Sequence, residues 1–119
     1  MDCGSSVLKI SQRDIILIPF LFSDLSGAKV RPALVISNHI YHVTFHDAVV
    51  LALTSNLSRS DYKVFIETQD LETGRLPVKS AVRVDKPFSI LQSKVLKIQA
   101  KITLVKFEDV KAVITKLIR

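Results

Sequence analysis

The sequence predicts a mainly β fold, in which five or six short strands form a small, strongly curved barrel and one helix follows at the C-terminus. Short apolar segments rich in β-branched residues recur along the 119-residue chain between polar turns, a pattern typical of small barrels. Some of these segments alternate apolar and polar residues, as half-buried strands do. Only the last segment repeats its apolar residues at three and four positions, which indicates an amphipathic helix.

The first half of the chain contains three predicted strands. They are Ile15 to Phe22, Ala33 to Ser37 and Asp47 to Thr54, and Arg31 and Pro32 begin the second of them. A loop at 23–30 follows the first strand, and a polar, irregular stretch with one helical turn, Asn38 to His46, follows the second. Pro19 has no N–H to donate to a ladder, so we expect it at an edge or a bulge. Residues 1–12 are expected to form a loose lead-in.

The second half contains three more predicted strands and the helix. The strands are Tyr62 to Glu67, Val78 to Val84 and Val95 to Ile102, with a loop around Gly74 at Leu71 to Pro77. Helical spacing places six apolar residues on one stripe, namely Phe107, Val110, Val113, Ile114, Leu117 and Ile118. We expect Glu108 and Asp109 in the first turn of this helix and Lys116 and Arg119 in the last, where the helix dipole favours their charges.

Length and composition limit the class of protein. The chain suits a single domain, 1–119, because two hydrophobic cores would need about twice its length. Cys3 is the only cysteine, which excludes a disulfide scaffold. The longest apolar run, Ile15 to Phe22, is far shorter than the roughly 20 residues of a membrane helix, and the N-terminus lacks the basic region of a secretory signal. We therefore expect a cytoplasmic protein that does not enter the membrane.

The net charge of +6 lies entirely in the second half of the chain. Residues 1–54 carry four bases and four acids, whereas residues 75–106 carry eight bases and a single acid, Asp85. Lysine and arginine displace counterions from phosphates, so such a segment attracts polyanions. A solvated basic surface without a ligand explains the charge equally well.

Metal and cofactor chemistry finds little support in the sequence. His39, His42 and His46 are close together, but no second cluster of histidine or cysteine exists, so loop polarity explains them better than a metal site does. Cys3 has no neighbouring base to activate it, and the three glycines are too isolated for a phosphate-binding loop. We expect no metal and no cofactor.

Four residues remain as catalytic candidates. Arg31 lies between a polar loop and an apolar strand, where a structural role is not evident, and Thr54 ends the third strand. Arg83 and Asp85 are two residues apart on a strand, so their side chains point to one face; an ordinary ion pair explains this spacing equally well. Arginines, a hydroxyl and a carboxylate suit phosphodiester cleavage that depends on positioning and charge.

Four blocks of the sequence carry a resemblance to known proteins. They are RDIILIPFLFSDLSGAKVRPALVIS at 13–37, DAVVLALTSN at 47–56, SAVRVDKP at 80–87 and KITLVKFEDV at 101–110. In this order they resemble the MazF/PemK (Kid) family of toxins from toxin–antitoxin pairs, over nearly the whole chain. RPALVIS, followed by a strand that ends in Thr-Ser, is the most specific part.

This resemblance implies a CcdB/MazF-type barrel of about six strands, related to SH3-like barrels. It implies a homodimer that cleaves single-stranded RNA without a metal and leaves a 2′,3′-cyclic phosphate and a 5′-hydroxyl. Such a protein inhibits translation and growth, is neutralised by an antitoxin, and binds DNA together with it.

The resemblance also implies roles for individual residues. The arginine of the RPA motif is Arg31, and the strand-end Thr-Ser is Thr54 and Ser55. The PemK-like branch assigns acid–base roles to an Arg-x-Asp, here Arg83 and Asp85, whereas the MazF-like branch assigns them to the other arginine and the threonine. This chain has both sets, so both assignments stay open.

Polar residues near these positions are expected to contact RNA. They are Ser26, Lys29, Ser55, Asn56 and Lys79, and base recognition is expected from the loops 23–30 and 57–60. Phe22, Phe65 or Phe88 could stack on an unpaired base, although a place in the core explains each of them better.

Three positions depart from the family's pattern. Leu25-Ser26-Gly27 occupies a loop that often carries Glu or His, Arg13 stands where a glycine commonly precedes the first strand's acidic residue, and Thr103 aligns with another glycine. These departures bear on catalytic efficiency more than on the fold.

Attack by the substrate's own 2′-hydroxyl suits these residues, because it needs no metal-bound water. Asp85 is the favoured base and Arg31 the favoured phosphate clamp, because guanidinium is a planar, permanently charged donor, while Arg83 shares the phosphate or helps the leaving group. Two other functions stay open: a non-enzymatic poison like CcdB, which binds a DNA gyrase subunit, and a basic SH3-like RNA-binding module. The expected partner is an acidic antitoxin, partly disordered when free.

Overall fold

The computed structural model describes residues 8–21 and 28–119. The strands are β1 (Asp14–Leu21), β2 (Ala28–Val35), β3 (Asp47–Thr54), β4 (Lys63–Ile66), β5 (Leu71–Gly74), β6 (Ser80–Leu91) and β7 (Lys97–Ile102), and the helices are α1 (His39–Thr44) and α2 (Leu104–Ile118). In this part of the chain, the seven strands form one antiparallel sheet in the order β4-β6-β3-β2-β1-β7-β5.

Strong curvature brings distant strands of this sheet together. Two strands separate β1 from β6, yet the rings of Phe20 on β1 and Phe88 on β6 have centroids 5.8 Å apart. In a flat sheet with strands about 4.8 Å apart, three strand spacings would hold them roughly 14 Å apart. The predicted mainly β, curled fold with a C-terminal helix is therefore confirmed, with one strand more than expected among the described residues.

Two hydrophobic clusters occupy opposite faces of the sheet. Alternate residues of one strand point to opposite faces, so Ile15 belongs to one cluster and Ile16 to the other. Helix α2 covers the first cluster with Phe107 and Val110. The second cluster lies on the opposite face, where Phe88 packs against it.

Pro19 lies in the part of β1 that pairs with β2 but not with β7. Strand β7 pairs with β1 only from Asp14 to Leu17, and the Leu96 N–H donates to the Leu17 carbonyl at 2.8 Å. Because backbone groups two residues apart face the same side of a strand, the missing N–H of Pro19 faces this unpaired edge. The expected edge position is confirmed.

Several predicted bounds are wrong. Strand β2 begins at Ala28, inside the predicted loop 23–30, because it pairs with β1 through Pro32 and beyond. Strand β5 replaces part of the predicted loop at Leu71 to Pro77, because its backbone pairs with β7. Strand β6 continues past Val84 to Leu91, because its second half pairs with β3.

Gly74 ends β5 in the left-handed region, with φ 74°. A Cβ there would collide with the Gln99 carbonyl oxygen of β7, so this close approach requires glycine. The chain then turns into the 75–79 segment, which bounds the cavity described below.

Helix α2 begins one turn earlier than its apolar stripe predicts. The Thr103 hydroxyl accepts the Lys106 N–H at 3.1 Å and caps the helix. Glu108 and Asp109 therefore lie beyond the first turn, and that prediction is wrong, whereas Lys116 does lie in the last turn. The end of the stripe, at 117–118, is exposed rather than covered.

The residues around the first strand and α1 are more ordered than predicted. Ile10 is only 5% exposed, and the Gln12 amide donates to the Ile36 carbonyl at 2.9 Å. These two residues therefore pack on the sheet instead of forming a loose lead-in, and residues 1–7 of the predicted lead-in lie outside the described residues. The predicted helical turn is the six-residue α1, whose first N–H groups are capped by Asn38 through Tyr41 N–H at 2.9 Å. Among the described residues, no helix has the length and apolarity needed to cross a bilayer.

Candidate active site

The candidate site lies where β2 and β3 part. The two strands pair only from Ala33 to Val35 on β2, and the next residue toward the site, Pro32, has no N–H to continue the ladder. Arg31 follows Pro32 on β2 in the direction of the site, and Thr54 lies at the end of β3, two residues beyond its last residue paired with β2, Ala52. The sequence therefore opens the sheet at the residues predicted to be catalytic.

Strand register places three of the predicted residues on one face. Arg31 is two residues from Ala33, Ala33 pairs with Ala52, and Thr54 is two residues beyond Ala52. Side chains two residues apart share a face, as do register partners. Thr54 in turn pairs with Ala81, two residues before Arg83, so Arg31, Thr54 and Arg83 share a face.

An irregularity in β6 contains both Arg83 and the fourth residue, Asp85. The β6 partner changes from Val82, opposite Leu53, to Pro87, opposite Leu51. The four residues from Arg83 to Lys86 therefore bulge away from β3, and such bulges redirect side chains near active sites.

A cavity of about 1020 Å³ opens at this position. Its described lining contains three cationic side chains, Arg31, Arg83 and Lys86, together with Thr54 and Ser55. None of the described lining residues is acidic. A cavity with this described lining favours an anionic ligand.

Asp85 lies beside the cavity and is bound to one of its arginines. Arg83 Nη2 donates to Asp85 Oδ2 at 3.2 Å, and each side chain is about a third exposed. This hydrogen bond holds the pKa of Asp85 below its usual value, so the group is a carboxylate at neutral pH. Arg83 Nε is buried and has no acceptor among the described residues.

The loop after Thr54 is ordered by its own side chains. The Thr54 hydroxyl accepts the Asn56 N–H, and Asn56 Oδ1 accepts the Ser58 N–H, both at 3.0 Å. Lys63 on β4 donates to the Asn56 and Ser58 carbonyls. Asn56 is predicted to contact RNA, and in this structure its side-chain oxygen holds the loop.

Apolar side chains form the other wall of the cavity. Phe20 and Phe88 meet edge to face, and Val30 and Val78 are each more than half exposed beside them. Phe88 is therefore at the site, whereas Phe65 is absent from the described lining and Phe22 lies outside the described residues.

Of the other residues predicted to contact RNA, some line the cavity and some do not. Ser55 lines the cavity. Lys29 lies on the same face as Arg31, opposite Phe20 in the β1–β2 ladder. Lys79 is exposed beside the cavity, with its ammonium 3.9 Å from Glu67, and Ser26 lies outside the described residues, as does the rest of 22–27.

His39 and His42 lie in α1, and His46 lies two residues after its end. His42 Nε2 lies 2.6 Å from Ser37 Oγ, and burial lowers the pKa of His42. Within the described ranges, no group of three histidine, cysteine, aspartate or glutamate side chains is arranged to hold a metal. Cys3 lies outside those ranges.

Sequence reasoning missed several residues of the site. Phe20, Val78 and Lys86 line the cavity, and the sequence carries no signal that brings them there. Lys63 lies opposite Arg83 only through the pairing of β4 with β6. The alternation in Tyr62 to Glu67 does place Lys63 on the face opposite Val64 and Ile66, but it cannot identify the neighbouring strand.

The fold and the cavity together define a small protein with a curled antiparallel sheet, a C-terminal helix and a cavity whose described lining carries cationic side chains. Residues 11–118 match the family of PemK-like, MazF-like toxins of type II toxin–antitoxin systems. The chain belongs to this family, as its resemblance in sequence indicated. Direct comparison with curated protein sequences finds no match.

Solved structures share the fold at low sequence identity. An endoribonuclease in complex with its cognate antitoxin, from a mycobacterial species, is 15% identical, with 91% of this chain and 93% of that chain covered and a TM-score of 0.73. The Mycobacterium tuberculosis toxin MazF-mt6 is 15% identical, with coverages of 87% and 94% and a TM-score of 0.71. A MazE–MazF structure from Deinococcus radiodurans is 18% identical, with coverages of 91% and 94% and a TM-score of 0.75.

Proposed function

We propose that this protein is the toxin of a toxin–antitoxin pair and acts as an endoribonuclease on single-stranded RNA, including mRNA, in the cytoplasm. The observation that carries the proposal is the cavity that Arg31, Thr54 and Arg83 share, whose described lining is cationic and free of carboxylates. The family of the chain and the endoribonuclease activity named for a structural neighbour support it.

In this proposal, Arg31 and Arg83 bind the scissile phosphate. Guanidinium groups offer paired donors that match phosphate oxygens, and the buried Nε of Arg83 is a donor without an acceptor among the described residues. Thr54 and Ser55 supply hydroxyl donors at the edge of the same cavity. Together they stabilise the charge that develops on the phosphorane.

The nucleophile in this proposal is the substrate's own 2′-hydroxyl. Its oxygen attacks the adjacent phosphorus, and the bond from phosphorus to the 5′-oxygen breaks. The departing 5′-oxygen takes up a proton from solvent water, so the products are a 2′,3′-cyclic phosphate and a 5′-hydroxyl. Asp85 accepts the 2′ proton because it is ionised and bound to the arginine that holds the phosphate. Since the substrate supplies the nucleophile, no step requires a metal-bound water.

Two partners complete the proposal. An acidic antitoxin is expected, because its charge complements the eight bases of residues 75–106. The affinity of the protein for this antitoxin should weaken as the salt concentration rises.

A homodimer is expected because a core this small leaves large apolar side chains exposed, including Ile40, Val43 and Phe45 around α1. Light scattering at micromolar concentration tests it.

The test is cleavage of RNA by the purified protein. A long single-stranded RNA, incubated with the protein in EDTA, should yield fragments with defined ends, while the same RNA annealed to its complement stays intact. Absence of fragments overturns the proposal. RNA binding without fragments would favour a basic RNA-binding module, and inhibition of DNA gyrase without RNA cleavage would favour a CcdB-like poison.

A further inference from the structure

Lys63 lies next to the proposed phosphate site and has no role in the mechanism above. It is the register partner of Arg83 in the β4–β6 ladder, so two cationic side chains lie directly opposite each other. Like charges at such positions destabilise a sheet unless each finds its own partner. Arg83 binds Asp85, whereas Lys63 turns to the β3–β4 loop.

The Lys63 ammonium is saturated by three oxygens of that loop. It donates to the Asn56 carbonyl at 2.9 Å, to the Ser58 carbonyl at 3.0 Å and to Ser58 Oγ at 3.2 Å. An ammonium has three N–H donors, so these bonds use all of them. Lys63 is half-buried, which strengthens each bond relative to one in water.

These bonds connect Lys63 to the cavity through a continuous series. The Ser58 N–H donates to Asn56 Oδ1, and the Asn56 N–H donates to the Thr54 hydroxyl, which lines the cavity. With one acceptor position of this hydroxyl occupied, the directions in which it can donate are restricted. Residues 55–60 are all exposed, so burial does little to hold the loop, and its order depends on this series.

We propose that Lys63 is a positioning residue for the proposed RNA cleavage. It fixes the β3–β4 loop, and through that loop it orients the Thr54 hydroxyl and Ser55 toward the substrate phosphate. This inference rests on the proposed endoribonuclease activity. Precise positioning is worth much in catalysis, since a displacement of about 1 Å can cost on the order of 100-fold in rate.

The test compares Lys63→Met, which keeps the aliphatic stem and removes the ammonium, with Lys111→Met. The control removes the same charge from the exposed face of α2, where Lys111 binds Glu108. In Lys63→Met, amide exchange measured by NMR at Asn56 and Ser58 should accelerate about tenfold or more, and kcat for RNA cleavage should fall about 10- to 100-fold, with a smaller change in KM. Lys111→Met should match the wild type in both measurements.

Two results would overturn the inference. One is unchanged exchange at Asn56 and Ser58, and the other is faster exchange with kcat unchanged, which would make the contact purely structural. If Lys63→Met fails to fold, Lys63→Gln carries the same test, because its amide reaches at most two of the three oxygens. A wild-type protein that cleaves no RNA instead refutes the proposed function itself, and this inference with it.

Discussion

Arg83 and Asp85 are joined by a 3.2 Å hydrogen bond on the four-residue segment where β6 bulges away from β3. The bond holds the carboxylate beside a cavity whose described lining contains only cationic and uncharged residues. A surface ion pair of this exposure contributes about 1 kcal/mol or less to stability. The role of this pair at the site is therefore tested better by the rate of RNA cleavage than by the free energy of unfolding.

Replacing Asp85 tests the assignment of the base. Asp85→Asn should reduce cleavage by about 10²- to 10⁴-fold, because a positioned base contributes this much, and it should keep or tighten RNA binding by removing a negative charge near phosphate. Single-turnover cleavage and equilibrium binding measure the two effects. Asp109→Asn on α2 is the matched control. A fully active Asp85→Asn protein would assign the acid–base roles to Arg31 and Thr54.

Replacing Arg31 tests the phosphate clamp. Arg31→Ala should lower the rate of RNA cleavage by about 10²- to 10³-fold, because it removes a preorganised charge that faces the transition state. Circular dichroism should show an unchanged fold, since Arg31 is exposed where β2 and β3 have parted. Arg119→Ala is the control for loss of charge. Near-normal cleavage by Arg31→Ala would contradict the role.

The sequence predicts those elements whose own side chains carry the signal. Strands β1 and β3 have strong apolar patterns, and their observed bounds lie within one residue of the predicted ones. The apolar stripe also predicts helix α2, although the helix begins one turn earlier. Strand β5 was missed, because its LETG sequence has no buried residue and is held by backbone pairing with β7. The site follows the same rule: Arg31 and Thr54 are recognisable where they stand, whereas the position of Lys63 opposite Arg83 depends on which strands pair.

Arg13 shows how one departure from the family's pattern is accommodated. It stands where glycine is common and adopts φ 82°, in the left-handed region, and its guanidinium binds Glu72 at 2.8 Å and the Ile102 carbonyl at 2.7 Å. Both Arg13→Ala and Arg13→Gly lose these bonds, but only alanine keeps the strain. Urea unfolding should therefore find Arg13→Ala less stable than Arg13→Gly by about 1 kcal/mol. Equal free energies of unfolding for the two variants would contradict backbone strain at position 13.

His42 should make the stability of the fold depend on pH. Burial, and then the nearby His39, lowers its pKa from 6.5, while Asp14 and Asp47 act in the opposite direction. The unfolded chain thus binds more protons than the folded one, so the free energy of unfolding should fall as pH falls through 6.5. Urea midpoints above and below this pH should differ less in His42→Gln than in the exposed control His46→Gln. The same pH dependence in both variants would contradict the role of His42.

The central claim, that the site cleaves RNA through the substrate's 2′-hydroxyl, is tested most directly on the substrate. Two single-stranded RNAs should be compared in EDTA, identical except that one carries hydrogen in place of the 2′-hydroxyl at the mapped cleavage position. The account predicts that the unmodified RNA is cut to a 2′,3′-cyclic phosphate and a 5′-hydroxyl, both identified by mass spectrometry, and that the modified RNA stays intact at that position whichever residue is the base. Cleavage of the modified RNA at the same position would contradict it.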